Sequence, residues 1–155
     1  MRTVVIGVGN PVRADDGVGL AVARRVGQII GDAQDVEVTE VWAGGLRLAE
    51  AMVGFDRAVV VDALSGGPEP AGTVKKLSLD DLGPARNASC VHDASLPTAI
   101  ALCRSVGAVM PHEITVWGIT GQDLESFREE LTDVVARAVP AAAQAIVNEL
   151  RSKGA

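Results

Sequence analysis

The chain has 155 residues, of which 48% are apolar, and its formal net charge at pH 7 is −6. This length suits one domain with one hydrophobic core, which we expect to span residues 1–155. The acidic balance leaves no basic stripe for nucleic acid, and no apolar run reaches the roughly 18 residues of a membrane-spanning helix. We therefore expect neither a nucleic-acid nor a membrane partner. Two cysteines are too few for a disulfide framework, so we expect a cytoplasmic protein.

Apolar periodicity divides the chain into alternating strands and helices. In chain order we expect strand 4–9, helix 18–30, strand 36–42, a short helix from Gly44-Gly45, strand 57–62, strand 73–79, helix 94–106, strand 114–119 and helix 131–150. Asp15 or Asp16 is a natural N-cap for the first helix. Pro97 fits only the first turn of its helix, and Pro140 predicts either a kink or a break between two helices.

This order of elements predicts an α/β fold, a three-layer αβα sandwich with a mostly parallel, roughly five-stranded twisted sheet. In such sheets the binding crevice lies beyond the carboxyl ends of the strands, near the point where the strand order reverses. Asp16 lies just past the first strand, Asp62 closes the third, and His92 is on the loop that enters a helix. We therefore expect these three side chains to meet at one edge of the sheet.

Two carboxylates and one imidazole form an oxygen, oxygen and nitrogen donor set that suits a borderline divalent metal such as nickel, zinc or iron. Three protein ligands leave coordination positions open for a substrate. Each residue alone also has a structural interpretation: Asp16 as a helix cap, Asp62 as a partner of a neighbouring loop, and His92 as a turn residue. Their shared position at strand ends favours a functional site.

The remaining candidates have structural roles in this interpretation. Asp15 is better placed as a cap or as an acceptor behind the ligands, and Asp93 as a cap of the next helix. Cys90 is a possible soft ligand, although a small buried thiol is more common, and Cys103 falls on the buried side of a helix. We expect His112 to be a solvated residue at the start of a strand.

Several other chemistries lack their required groups. The chain has neither a His-Glu-x-x-His helix nor a Gly-x-Ser-x-Gly elbow. Asp62 is followed by Ala63-Leu64 and not by the Thr-Gly or Ser-Gly of pepsin-like proteases, which argues against a carboxylate dyad. The dinucleotide fingerprint also fails, because Val12 stands where its third glycine is needed.

The same residues resemble those of the hydrogenase maturation proteases, the endopeptidases that trim the large subunit of nickel-iron hydrogenases. The motifs that carry this resemblance are Gly7-x-Gly9-Asn10, Asp15-Asp16-Gly17-x-Gly19, the strand end at Asp62-Ala63, the His92 loop, Ala71-Gly72-Thr73 and the strand Val116-Trp117-Gly118-Ile119. The family fold is a five-stranded sheet between helices. The resemblance implies that Asp16, Asp62 and His92 are the catalytic, metal-contacting residues.

The resemblance further implies that the nickel belongs to the precursor large subunit, so that a free protein without metal is compatible with this function. The partner is then the nickel-loaded precursor, and the protein is expected to work as a monomer. A nickel-polarised carbonyl or water, or general-base help from Asp16 or Asp62, are alternative ways to activate the attack. The sequence leaves this choice open.

Two loops depart from the family pattern, and both are expected to touch the substrate. Val41-Trp42-Ala43-Gly44-Gly45 replaces an Asp-Gly-Gly-Thr-x-Gly-like turn, and His92-Asp93-Ala94-Ser95-Leu96 replaces Ser-x-His-x-x-Gly-Leu. They leave open which hydrogenase is processed.

An alternative function is a non-catalytic binding module or chaperone for a metal-bearing subunit. Peptidyl-tRNA hydrolases open with a similar Gly-x-Gly-Asn-Pro motif, but this chain lacks their nearby histidine and basic face.

Overall fold

The structure is a computed structural model that describes residues 1–65, 67–79 and 96–154. Its elements in chain order are β1 Thr3–Val8, the 3-10 turn η1 Ala14–Gly17, α1 Val18–Ile30, β2 Val36–Val41, α2 Leu46–Glu50, β3 Arg57–Leu64, β4 Val74–Ser78, α3 Leu96–Ser105, β5 Glu113–Thr120 and α4 Asp133–Ser152. Every strand and helix expected from the sequence is present in the expected order.

The five strands form one sheet in the order β2-β1-β3-β5-β4. β1, β2, β3 and β5 run parallel, whereas β4 pairs antiparallel with β5 at one edge. Every residue of β1 and of β3 is buried, which explains their unbroken apolar runs. The strand order reverses between β1 and β3, because the chain first moves to β2 on one side and then returns to β3 on the other.

Helices cover both faces of this sheet and confirm the αβα sandwich. On one face, Leu48 of α2 and Ile100 of α3 pack against a core that includes Ile6 and Val60 of the central strands. The opposite face has its own core, formed by the following buried side chains of α1, α4, β1 and β3: Val18, Val22, Ala142, Ile146, Val147, Val5, Val59 and Val61. Among the described residues, no helix is long and apolar enough to cross a membrane.

One expectation about an element end needs correction, and one of the two alternatives at Pro140 is excluded. β3 does not close at Asp62, because its ladder with β5 continues through Leu64, which pairs with Thr120. Pro140 does not break the last helix, which is continuous from Asp133 to Ser152. Both Pro140 and Ala136, whose carbonyl loses its helical partner, are exposed, so water can satisfy that carbonyl.

A buried ion pair joins α4 to the sheet near the amino ends of β3 and β5. Arg57 is fully buried and forms an ion pair with Glu149 of α4. The Glu149 carboxylate also accepts a hydrogen bond from Trp117 Nε1 at 3.0 Å and lies 3.0 Å from Lys76 Nζ. This charge cluster therefore joins one helix to three strands. It lies at the end of the sheet opposite the loops that follow β1 and β5.

Candidate active site

Asp16 is held by the turn that follows β1. Gly9 has a φ of 157°, and a Cβ there would lie 2.1 Å from the Asp16 carbonyl oxygen, so only glycine fits. Asn10 donates its backbone N–H to Asp16 Oδ2 at 3.0 Å. Asp16 itself is fully buried. The Gly-x-Gly-Asn motif thus shapes a turn around a carboxylate.

The start of α1 packs directly against the two central strands. A Cβ on Gly19 would lie 2.3 Å from the carbonyl oxygen of Val61 in β3 and 2.6 Å from that of Val8 in β1. Since Asp62 follows Val61, this close approach brings the segment that carries Asp16 against the strand that carries Asp62. Both residues lie at the point where the strand order reverses, as the sequence predicted.

Asp62 is fully buried near the carboxyl end of β3 and pairs with Gly118 of β5. Its Oδ1 accepts the N–H of Ala63 at 2.8 Å. Strand alternation places its side chain on the same face as Val60 and Leu64, the face that α2 and α3 cover. Asp62 therefore points toward the side of the sheet on which α3 lies.

The third predicted ligand, His92, lies outside the described residues, as do Cys90 and Asp93. Within residues 1–65, 67–79 and 96–154, no group of three histidine, cysteine, aspartate or glutamate side chains could hold a metal ion. Two further predictions are confirmed: Cys103 is buried in the core, and His112 is exposed just before β5. The three-residue site stays a prediction.

The expectation that Asp15 or Asp16 caps α1 is wrong. Gly17 is the N-cap of α1, and no side-chain hydrogen bond caps this helix. Asp15 is instead an acceptor for the loop after β5. Its carboxylate accepts four hydrogen bonds of 2.8–2.9 Å, from the backbone N–H groups of Gln122, Asp123 and Thr132 and from the Thr132 hydroxyl.

No sequence pattern pointed to this loop, residues 121–132, which we call the Phe127 loop. It also pairs with the Asp16 segment through main-chain hydrogen bonds: Ala14 N to the Arg128 carbonyl at 2.8 Å, and Arg128 N to the Val12 carbonyl at 3.0 Å. Ala14 has a φ of 49°, an uncommon conformation that these bonds hold in place. The loop and η1 therefore form one structural unit beside Asp16.

Open space lies on both sides of this unit, at the carboxyl ends of the parallel strands, which we call the carboxyl edge of the sheet. A groove of about 820 Å³ runs between the end of β2 and α2, and its lining includes Trp42 and Arg47. The Gly9 N–H donates to the Val41 carbonyl at 3.2 Å, which places this groove one strand away from the Asp16 turn. A smaller cavity of about 330 Å³ follows the ends of β3 and β5, where Ser65 and Asp123 line it.

Comparisons with known proteins point to one family. A family model described as hydrogenase maturation protease (HycI) matches residues 20–149. The chain is 29% identical over 155 residues to the hydrogenase expression/formation protein HupD of Rhizobium leguminosarum bv. viciae, covering 99% of this chain and 76% of that protein. It is 26% identical over 156 residues to the hydrogenase 2 maturation protease of Escherichia coli (strain K12), covering 99% and 93%.

Solved structures agree with these relatives. The hydrogenase maturating endopeptidase HybD from E. coli superposes with a TM-score of 0.83 at 25% identity, over 99% of this chain and 94% of that one. The nickel-iron hydrogenase maturation protease HybD from Thermococcus kodakarensis has a TM-score of 0.74 at 23% identity, over 97% and 99%. The second likeness is a likeness of fold.

Proposed function

The chain belongs to the hydrogenase maturation protease family, and on that premise we propose that it removes the C-terminal extension of a nickel-iron hydrogenase large-subunit precursor, recognising nickel that the precursor already carries. The observation that carries the proposal is the placement of two buried carboxylates, Asp16 and Asp62, where the strand order reverses. In open α/β sheets this is where ligands bind.

The chemistry of the donors supports nickel as the feature that is recognised. Carboxylate oxygens from Asp16 and Asp62, together with the imidazole of His92, suit a borderline divalent ion. In this proposal the ion is part of the substrate, and the three side chains contact it only when the precursor docks. A precursor without nickel lacks the cation that attracts the two carboxylates, so the site works as a checkpoint for metal insertion.

Hydrolysis of the peptide bond requires a water molecule to add to the carbonyl carbon while the amide nitrogen leaves with a proton. Asp16 and Asp62 are two carboxylates that can take the proton from that water and return it to the leaving amine. Nickel on the substrate would polarise the carbonyl or the water. The Gly9 turn and the β3 ladder fix the backbone of each carboxylate before the substrate arrives.

The test uses one precursor in two forms, nickel-loaded and nickel-free, each incubated with the purified protein and analysed by intact-mass spectrometry. We expect only the nickel-loaded form to lose the mass of its C-terminal extension. Equal cleavage of both forms would contradict nickel recognition. Cleavage of neither, with a stable complex of unchanged mass, would instead identify a binding module or chaperone.

His92→Ala is a separate test of the third ligand, which rests on the sequence alone. We expect it to abolish cleavage of the nickel-loaded precursor. His112→Ala is the matched control, because His112 is the other histidine of the chain and is exposed just before β5. Equal activity of the two variants would remove His92 from the site.

A further inference from the structure

Phe127 is an aromatic side chain that the fold does not bury. The chain has only two phenylalanines, two tryptophans and no tyrosine, yet Phe127 is 87% exposed. It adjoins a second exposed apolar residue, Val12, because the Val12 carbonyl accepts the N–H of Arg128. Aromatic residues, phenylalanine included, are enriched at protein–protein interfaces relative to the rest of the surface.

The Phe127 loop is held firmly before any partner binds. Leu124 anchors it inward against the core of the α1 and α4 face, and the four hydrogen bonds to Asp15 fix both of its ends. Asp123 Oδ1 also accepts the N–H groups of Ser126 and Glu125, and these bonds keep the pKa of Asp123 below its ordinary value. A preorganised loop loses little conformational freedom on binding.

The loop lies beside the candidate active site. Phe127 directly precedes Arg128, which bonds to both Val12 and Ala14, and Ala14 is two residues before Asp16. A segment that contacts Phe127 is therefore held against the turn that carries Asp16. This placement suits a docking contact for the substrate and not a contact remote from the chemistry.

The charges of the loop select the kind of segment that it can bind. Residues 121–132 carry four carboxylates, those of Asp123, Glu125, Glu129 and Glu130, against the single guanidinium of Arg128. The three glutamates are exposed, and the Arg128 guanidinium is also drawn to Glu130 at 4.0 Å. A complementary partner therefore presents apolar surface together with lysine or arginine.

We infer that the Phe127 loop docks an apolar and basic segment of the hydrogenase large-subunit precursor next to the cleavage site. The inference rests on the proposed function for the identity of the partner. Phe127 supplies the apolar contact, and Glu129 and Glu130 supply the attraction for basic side chains. The loop contributes to substrate affinity, and the carboxylates of Asp16 and Asp62 contribute to the chemical step.

The experiment measures kcat and KM separately on the nickel-loaded precursor. We expect Phe127→Ala to raise KM about tenfold with kcat little changed, since a truncated hot-spot aromatic costs about that factor in affinity. The double variant Glu129→Lys, Glu130→Lys should also raise KM and should weaken its dependence on salt. The Tm of Phe127→Ala should equal that of the wild type, because the Phe127 side chain makes no core contact.

Two matched controls lie at the opposite edge of the sheet. Val106 is 77% exposed after α3, and Asp32 is exposed between α1 and β2. Val106→Ala and Asp32→Lys should leave KM and kcat unchanged. An unchanged KM in the Phe127 and glutamate variants, or a fall in kcat alone, would overturn the docking role. If the protein forms a dimer that Phe127→Ala abolishes, the Phe127 loop binds a second copy of the chain. That result would also overturn the docking role.

A failure of the proposed function has a different signature. If the wild-type protein does not cleave the precursor, its Kd for the nickel-loaded precursor is compared with that of Phe127→Ala by calorimetry. A weaker Kd in the variant supports docking even though the peptidase proposal has failed. Equal Kd values, or no binding by either protein, would overturn the docking inference too.

Discussion

Buried charges lie at the amino ends of the parallel strands, the amino edge, and at their carboxyl ends, the carboxyl edge. The two edges use these charges differently. At the amino edge, Arg57 forms an ion pair with Glu149, and Trp117 and Lys76 add further contacts to the Glu149 carboxylate. At the carboxyl edge, Asp16 accepts the N–H of Asn10, and Asp62 accepts that of its neighbour Ala63. The amino-edge charges join elements distant in sequence, whereas these two bonds link each carboxyl-edge carboxylate to the backbone of its own turn or strand.

The same contrast exists between two adjacent residues. Asp15 uses its carboxylate to hold the Phe127 loop through four hydrogen bonds. Asp16, one residue later, lies in the turn of the candidate site. Removing a group that holds elements together should therefore reduce stability, and removing a group that presents chemistry should reduce activity.

The largest expected effect is on activity at the carboxyl edge. Asp16→Asn or Asp62→Asn should lower the rate of precursor cleavage by about 10²–10⁴-fold, because an amide can neither serve as a base nor attract a cation. The free energy of unfolding, measured in urea, should change by no more than about 1–2 kcal/mol. Cleavage near the wild-type rate by both variants would contradict the site.

The largest expected effect on stability is at the amino edge. Glu149→Ala should lower the free energy of unfolding by about 3–5 kcal/mol, since it leaves Arg57 buried without its main counter-charge. The variant should keep the wild-type kcat at a temperature where it is folded. Glu37→Ala, which removes an exposed carboxylate of β2, is the control and should change stability by about 0.5 kcal/mol or less. Equal effects of the two variants would refute the structural role of the pair.

Asp15→Asn should give a smaller loss of stability. The amide has one acceptor oxygen and turns its NH₂ group toward donors of the Phe127 loop, so we expect a loss of about 2 kcal/mol in urea unfolding. Thr132→Val removes only the hydroxyl donor and should lose about 1 kcal/mol. If Asp15→Asn is as stable as the wild type, the loop does not depend on this carboxylate.

The smallest expected effect is on the pH dependence of stability. Lys153 donates a hydrogen bond to Glu113, and with the nearby charge of Arg57 it holds the pKa of that carboxyl below its ordinary value. A lowered folded-state pKa means that this contribution to stability is present above the unfolded-state pKa and is lost as pH falls through the folded one. Glu113→Gln should therefore lower Tm at pH 7 and reach the wild-type Tm at low pH. A constant difference across pH would contradict this.

The fold was predictable because its signals are local. The buried valines of β1 and β3 and the helical spacing of α1 depend on neighbours in sequence, and they led to the right layers and order. The end of β3 was misplaced at Asp62, because a carboxylate is unfavourable in a strand unless a bond such as that to Ala63 N compensates it. A local pattern cannot reveal that compensation.

The contacts that the sequence did not reveal are long-range. Asp15 meets the Phe127 loop across 107–117 residues, and Arg57 meets Glu149 across 92. Neither pairing leaves a periodic signal, and the capping preference of aspartate suggested a local partner for Asp15 instead. By contrast, the closeness of Asp16 and Asp62 to the switch point followed from topology alone.

The proposed function locates the peptidase chemistry at the carboxyl edge. Its most direct test is the intact mass of the nickel-loaded precursor after incubation with the wild-type protein and, in parallel, with Asp62→Asn. We expect the wild type to remove the C-terminal extension and Asp62→Asn, folded at the assay temperature, to leave the precursor at full mass. Removal of the extension by both proteins at the same rate would contradict it.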